Sequence, residues 1–202
     1  GYQTVAFGKM HFEDKDQMHG WLSRPYGDIS VNIGPEMYEE AEDISMSNEE
    51  YSNKGMGFWG PAKEVRNARV INEDQGRWKT DKTCTELACD FLRSYYADSN
   101  YDRPHYDKPL CLALSLINPH YPFQGTKNLF EYYLRRVEPF YEKPPNDHPC
   151  HNLYSVNIEK EVTEREVLRA TAAYYSQVEF IDTMYGKIID TLDYLDVLDE
   201  FI

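Results

Sequence analysis

Nine consecutive residues, Pro109-Leu110-Cys111-Leu112-Ala113-Leu114-Ser115-Leu116-Ile117, form a near-continuous apolar run between polar borders. A run of this length and composition fits a strand buried on both faces, as in a parallel sheet. With helical periodicity on either side of it, the chain reads as α/β, a mostly parallel mixed sheet flanked by helices. The run ends at Asn118-Pro119-His120-Tyr121-Pro122-Phe123. Ligands bind outside the carboxyl ends of such strands, and a histidine between two prolines sits on a restricted backbone. His120 is therefore a candidate site residue, with a structural histidine as the plainer alternative.

A second strand is predicted at the start of the chain. The β-branched and aromatic stretch from Thr4 to Phe7 is broken by Gly8, and Lys9 and His11 follow. Alternation on an extended backbone predicts both side chains on one side, about 7 Å apart along the chain. Two proton-bearing groups leaving a buried strand suit an oxyanion of sulfur or phosphorus. The alternative is a solvated lysine beside a surface histidine.

Two helices are expected. Thr80 or Asp81 caps the first, which runs to about Tyr96 with Cys84, Leu87, Ala88, Phe91, Leu92 and Tyr95 on its core face. Thr163 opens the second, and Glu166 three residues on completes a capping box. Its predicted core stripe is Val167, Thr171, Tyr174, Val178, Ile181, Tyr185, Ile188, Leu192 and Leu195. Residues 13–79 read as a long irregular insertion packed over one edge of the sheet, and 125–161 as a second irregular region. The four cysteines (Cys84, Cys89, Cys111, Cys150) show no zinc spacing, and all are read as reduced packing residues.

The formal net charge of −14 disfavours nucleic acid and anionic membrane surfaces as partners, while a small anionic ester gripped by local cations stays compatible. No apolar run approaches the ~20 residues of a membrane span. The chain opens at Gly1 inside a strand-like run and closes just after a long helix, so it reads as an internal piece, incomplete at both ends. The compartment is left open between cytoplasm and periplasm, with the cytoplasm favoured, and the oligomeric state is open.

The opening string Gly1-Tyr2-Gln3-Thr4-Val5-Ala6-Phe7-Gly8-Lys9-Met10-His11 resembles a signature of the sulfatase family, G-Y-x-T-x-x-x-G-K-x-H, at all six fixed positions. Pro119, His120 and Pro122 resemble that family's P-H-x-P segment. Tyr174 to Asp182, with Gly186, is similar to its long late helix. Asp16-Gln17-Met18-His19-Gly20-Trp21 resembles choline sulfatases and related bacterial sulfatases. The resemblance implies an alkaline-phosphatase-like fold and a partial sulfatase catalytic domain over residues 1–202. It implies hydrolysis of a small sulfate ester, with Lys9 holding the sulfate group and His11 moving a proton. His120 would donate to an ester oxygen, and His19 either lines the substrate side or braces its loop.

The same resemblance marks what this chain lacks. The family's nucleophile, a formylglycine, arises in a C/S-x-P-x-R string, and none occurs here. The implied cofactors, Ca²⁺ and formylglycine, are therefore expected outside this chain, which is assigned no metal ligands and is expected to be inert alone. A phosphonate or phosphate monoester hydrolase of the same superfamily, or a non-catalytic sulfatase-like binding protein, are the alternatives.

Overall fold

The computed structural model describes residues 1–12, 16–27, 61–97, 108–138 and 162–201. The chain divides into two compact units. The first comprises Gly1–Glu40, Asp74–Asn118 and Phe180–Ile202, and the second Ala41–Glu73 and Pro119–Glu179. Both are α/β, built on strand pairs that are parallel throughout the described residues.

In the first unit, β1 (Gln3–Gly8) lies between β2 (Ser23–Tyr26) and β4 (Leu110–Ser115). Val5, Ala6 and Phe7 are buried, as a central strand requires. The β1–β4 register runs unbroken from Gln3 opposite Leu110 to Gly8 opposite Ser115. The β1–β2 register instead slips between Val5↔Ser23 and Phe7↔Tyr26. Arg24 and Pro25 thus stand against Ala6 alone, and Pro25, with no N–H to give a ladder, is tolerated at such a bulge on an edge strand. Part of the predicted insertion is therefore a strand of the sheet itself.

Helix α2 (Gly76–Ala97) covers this sheet; α1 (Pro61–Arg66) and β3 (Arg69–Ile71) precede it in sequence and belong to the second unit. Ala88 of α2 packs with Val5 and Phe7, joined by Phe91, Leu110, Leu112, Leu114 and Ile188. Phe7 and Phe91 meet with ring centroids 5.9 Å apart. Burying a side chain such as Phe7 stabilises the fold by roughly 2–3 kcal/mol. A neighbouring cluster joins Leu92 of α2 to Leu192 and Val197. The helix starts four residues before the predicted cap because Trp78 is buried, stacked on Phe180 at 4.2 Å. Leu87, assigned to the core face, is exposed.

Two-sided burial of β4 is also corrected. Leu110, Leu112 and Leu114 pack into the core while Cys111, on the opposite face, is exposed. Among the described residues β4 is paired only with β1. Cys84 and Cys89 are buried, as expected of packing residues, whereas Cys111 is not; Cys150 lies outside the described residues. Burial, with a further contribution from the nearby Asp81 charge, pushes the Cys84 thiol up to about 12. Iodoacetamide at pH 8 is accordingly expected to spare Cys84 in the native protein and to modify it once denaturant is added. Peptide mass mapping checks this, and native alkylation of Cys84 as fast as that of Cys111 would contradict its burial.

In the second unit, β3 (Arg69–Ile71) pairs with β5 (Gln124–Thr126), preceded by α1 (Pro61–Arg66) and followed by α3 (Lys127–Leu134). These elements replace the irregularity predicted over parts of 13–79 and 125–161; residues 28–60 and 139–161 lie outside the described set. The last helix, α4 (Glu164–Tyr194), gives Glu164–Glu179 to this unit and Phe180–Tyr194 to the first. Its capping box forms as predicted. The Glu166 N–H donates to Thr163 Oγ1 at 3.3 Å, and the Thr163 N–H to Glu166 Oε2 at 2.7 Å. The Thr163 N–H, and the Thr163 hydroxyl that donates to the same Oε2 at 2.8 Å, hold the Glu166 carboxyl below its ordinary range.

The buried stripe of α4 differs from the prediction. Tyr174, Val178 and Tyr185 are exposed, while Ala172, Ala173, Ser176 and Gln177 are buried. Close approach explains the choice of small residues. A Cβ on Gly125 would lie 2.8 Å from Ser176 Oγ, so backbone and helix touch where larger side chains would hold them apart. Ala172 and Ala173 share a core with Ala68, Phe130 and Ala170.

Candidate active site

The lysine of the opening motif is placed by the glycine before it. Gly8 has φ +90°, and a Cβ there would fall 1.9 Å from the Ser115 carbonyl oxygen. Only glycine lets β1 end so close to β4. The next N–H, of Lys9, donates to that same carbonyl at 2.9 Å. Lys9 is half-buried and thus anchored through its backbone at the shared carboxyl end of both strands.

His11 is exposed and has φ +56°. The chain is not extended there, so strand alternation does not govern how its ring stands relative to Lys9. This replaces the geometric premise drawn from the sequence.

His19 sits in a turn built by Asp16, with φ +41° and its ring exposed. Asp16 Oδ1 accepts from the N–H groups of Met18 at 3.0 Å and His19 at 3.1 Å. The His19 and Met18 bonds hold the Asp16 carboxyl below its ordinary range. The His19 ring lies 4.2 Å from that of Phe12, and the Arg24 guanidinium lies 4.9 Å from the same phenyl centroid. Arg24 also donates to the Gln17 carbonyl. Thr4 of the opening motif has a visible task here: its hydroxyl accepts from the Leu22 N–H at 2.9 Å, tying this loop to β1.

Asp81, which with Thr80 is one of the two predicted caps of α2, lies inside it instead. It is fully buried inside α2. Its carboxylate accepts from the N–H of Ile117 at 2.8 Å, the N–H of Asn118 at 2.9 Å and Asn118 Nδ2 at 2.6 Å. The chain leaving β4 is thereby fastened to the helix. Burial holds the Asp81 carboxyl above its ordinary range, with the three hydrogen bonds pulling the other way.

His120 is exposed. Its Nδ1 lies 2.8 Å from the Tyr121 carbonyl oxygen, and its ring lies 4.2 Å from that of Tyr121. A carbonyl only accepts, so Nδ1 is the donor in that contact. The backbone of this segment is held by Gln177 of α4, whose Nε2 donates to the carbonyls of Pro122 at 3.3 Å and His120 at 3.5 Å. Lys9, His11 and His19 belong to the first unit and His120 to the second. Among the described residues, no three His, Cys, Asp or Glu side chains come together as a group able to hold a metal ion.

The chain is similar to choline-sulfatase of Rhizobium meliloti (strain 1021), with 26% identity over 211 residues covering 99% of this chain. It spans 38% of the length of that curated relative. The likeness supports a relationship with sulfatases without singling out a member. No protein-family model matches the chain.

Proposed function

We propose that the protein carrying this chain hydrolyses a small sulfate ester, and that this chain supplies part of the shell around the sulfate group. The observation that carries the reading is the in-register end of β1 and β4. With Gly8 opposite Ser115, Lys9 and the segment running on to His120 leave the same edge of a parallel pair. That edge is where parallel sheets place ligands.

In this reading Lys9 offsets the charge of the sulfate oxygens, as a positioned cation does for charge that develops in a transition state. His11 takes or gives a proton, and His120 donates from Nε2 to an ester oxygen. His19 braces its own loop through Phe12. Calcium and a formylglycine nucleophile are the groups the sulfatase resemblance implies. Choline sulfate is the first ester to assay, given the relative's name.

His120→Ala in the full-length protein is expected to lower turnover of 4-nitrophenyl sulfate or choline sulfate by about 10²-fold, the usual loss when one charge-stabilising donor is removed. Its melting temperature should hold, because an exposed histidine gives up little packing. Unchanged turnover would remove His120 from the site. Turnover of phosphate or phosphonate monoesters in preference to sulfate esters would replace the proposed substrate class.

A further inference from the structure

We infer that Gly27 is a positioning residue for Lys9, with the buried thiol of Cys84 as its backstop; the inference rests on the role proposed for Lys9. Gly27 directly follows β2, and the pairing of Phe7 with Tyr26 sets it beside Gly8. The carboxyl ends of the three strands thus form a row, Gly27, Gly8 and Ser115, and Lys9 leaves from its middle. Row and thiol all belong to the first unit.

The row has no slack on either side of Gly8. Towards β4, a Cβ on Gly8 would strike the Ser115 carbonyl. Towards β2, a Cβ on Gly27 would lie 3.2 Å from Cys84 Sγ and 3.4 Å from Gly8 Cα. A methyl that close to a sulfur forces one of the two to move. Cys84 has little room to do so: it is 1% exposed and stands one turn of α2 after Asp81, whose carboxylate is tied to Ile117 and Asn118. In a close-packed interior the strain passes to the neighbour on the other side. That neighbour is Gly8, and the N–H of the next residue, Lys9, is bonded to the Ser115 carbonyl. Gly27 touches no reacting atom in this scheme, and its effect passes through Gly8 to Lys9.

The test uses the full-length protein with Gly27→Ala, Cys84→Ala and the two combined. The double variant removes the sulfur and puts a methyl where it pressed. Gly27→Ala is expected to lower kcat/KM for 4-nitrophenyl sulfate about tenfold and to weaken inhibition by inorganic sulfate by a similar factor. Cys84→Ala and the double variant should both stay within about threefold of wild type. Amide hydrogen exchange reads the same coupling without turnover. The Lys9 amide should exchange about tenfold faster in Gly27→Ala while Val5, within the same sheet, changes less, and the double variant should recover the wild-type rate.

Wild-type kcat/KM and wild-type Lys9 exchange in Gly27→Ala would overturn the inference. So would a double variant no better than Gly27→Ala, because the added methyl would then act through its φ of +80° and not through the thiol. If Gly27→Ala is too unstable to purify, a folded double variant with near-normal Lys9 exchange supports the scheme, and an equally unstable one overturns it. Should the wild type turn over no sulfate ester, the proposed function fails, and Lys9 exchange still decides whether Gly27 and Cys84 govern that residue.

Discussion

Gly8→Ala is expected to be the most damaging single-methyl change in the described chain. The new Cβ would sit 1.9 Å from the Ser115 carbonyl oxygen, far inside any tolerated contact, and the atom it meets is backbone. The φ of +90° adds the penalty any L side chain meets in that region. Relief requires β1 and β4 to part at their carboxyl ends, where Lys9 is anchored. A loss on the order of 4 kcal/mol follows, most of the stability of a marginal domain. Gly20→Ala is the control. Gly20 has a similar φ of +87° but nothing within 4 Å of its missing Cβ. It should cost about 1 kcal/mol, the conformational part alone. Urea unfolding of the two variants separates the effects, and equal losses would refute the close approach of β1 to β4.

Asp81→Ala is the second large effect. The substitution strips three partners at once and leaves the N–H groups of Ile117 and Asn118 buried without an acceptor. Bonds to charged groups contribute about 1.5–3 kcal/mol each, and they do not add when they share one carboxylate. A net loss of about 3 kcal/mol is expected. Asp81→Asn keeps one acceptor but turns an NH₂ towards a donor, so it should fall between wild type and alanine. Denaturant midpoints measure both. Because the same carboxylate fastens the chain just before His120, turnover should also fall in each variant beyond what the unfolded fraction explains. An alanine variant as stable as wild type would mean that Ile117 and Asn118 find other acceptors.

Which features were legible follows from whether their causes are local. The strands β1 and β4 announce themselves because Thr4 to Phe7 and Leu110 to Leu114 are apolar enough to need burial wherever they go. Strand β2 does not. Ser23-Arg24-Pro25-Tyr26 has no strand pattern and includes a proline, and its conformation comes from pairing with β1. The capping box of α4 was readable because Thr163 and Glu166 are three residues apart. Its buried face was not, since Ala172, Ala173 and Ser176 are chosen for smallness against Gly125, a partner that hydropathy does not reveal. Similarly, the cap assigned at Thr80 or Asp81 followed the first apolar periodicity and missed Trp78, which extends the helix.

The site divides the same way. Gly8, Lys9 and the proline-flanked His120 are visible as short strings. The residues that hold their backbone are not, because Asp81 acts on positions 36 and 37 residues away and Gln177 on one 55 residues away. The ring of His11 could not be placed by alternation once its φ turned positive. Tyr38, Tyr51, Phe58 and Trp59 of the 13–79 stretch lie outside the described residues.

The parallel pairing of β1 with β4 also imposes an order of events on biosynthesis. Gln3 finds its partner in Leu110, roughly a hundred residues later. At ribosomal speeds of about 5–20 residues per second, β1 leaves the exit tunnel some 5–20 s before β4 exists. In that interval Val5, Ala6 and Phe7 are apolar residues of a nascent chain with neither α2 nor β4 to cover them. β1 is thus made well before the helix and the strand that cover it, so a cell making this protein has reason to shield Val5, Ala6 and Phe7 until the strand at Leu110 has been translated.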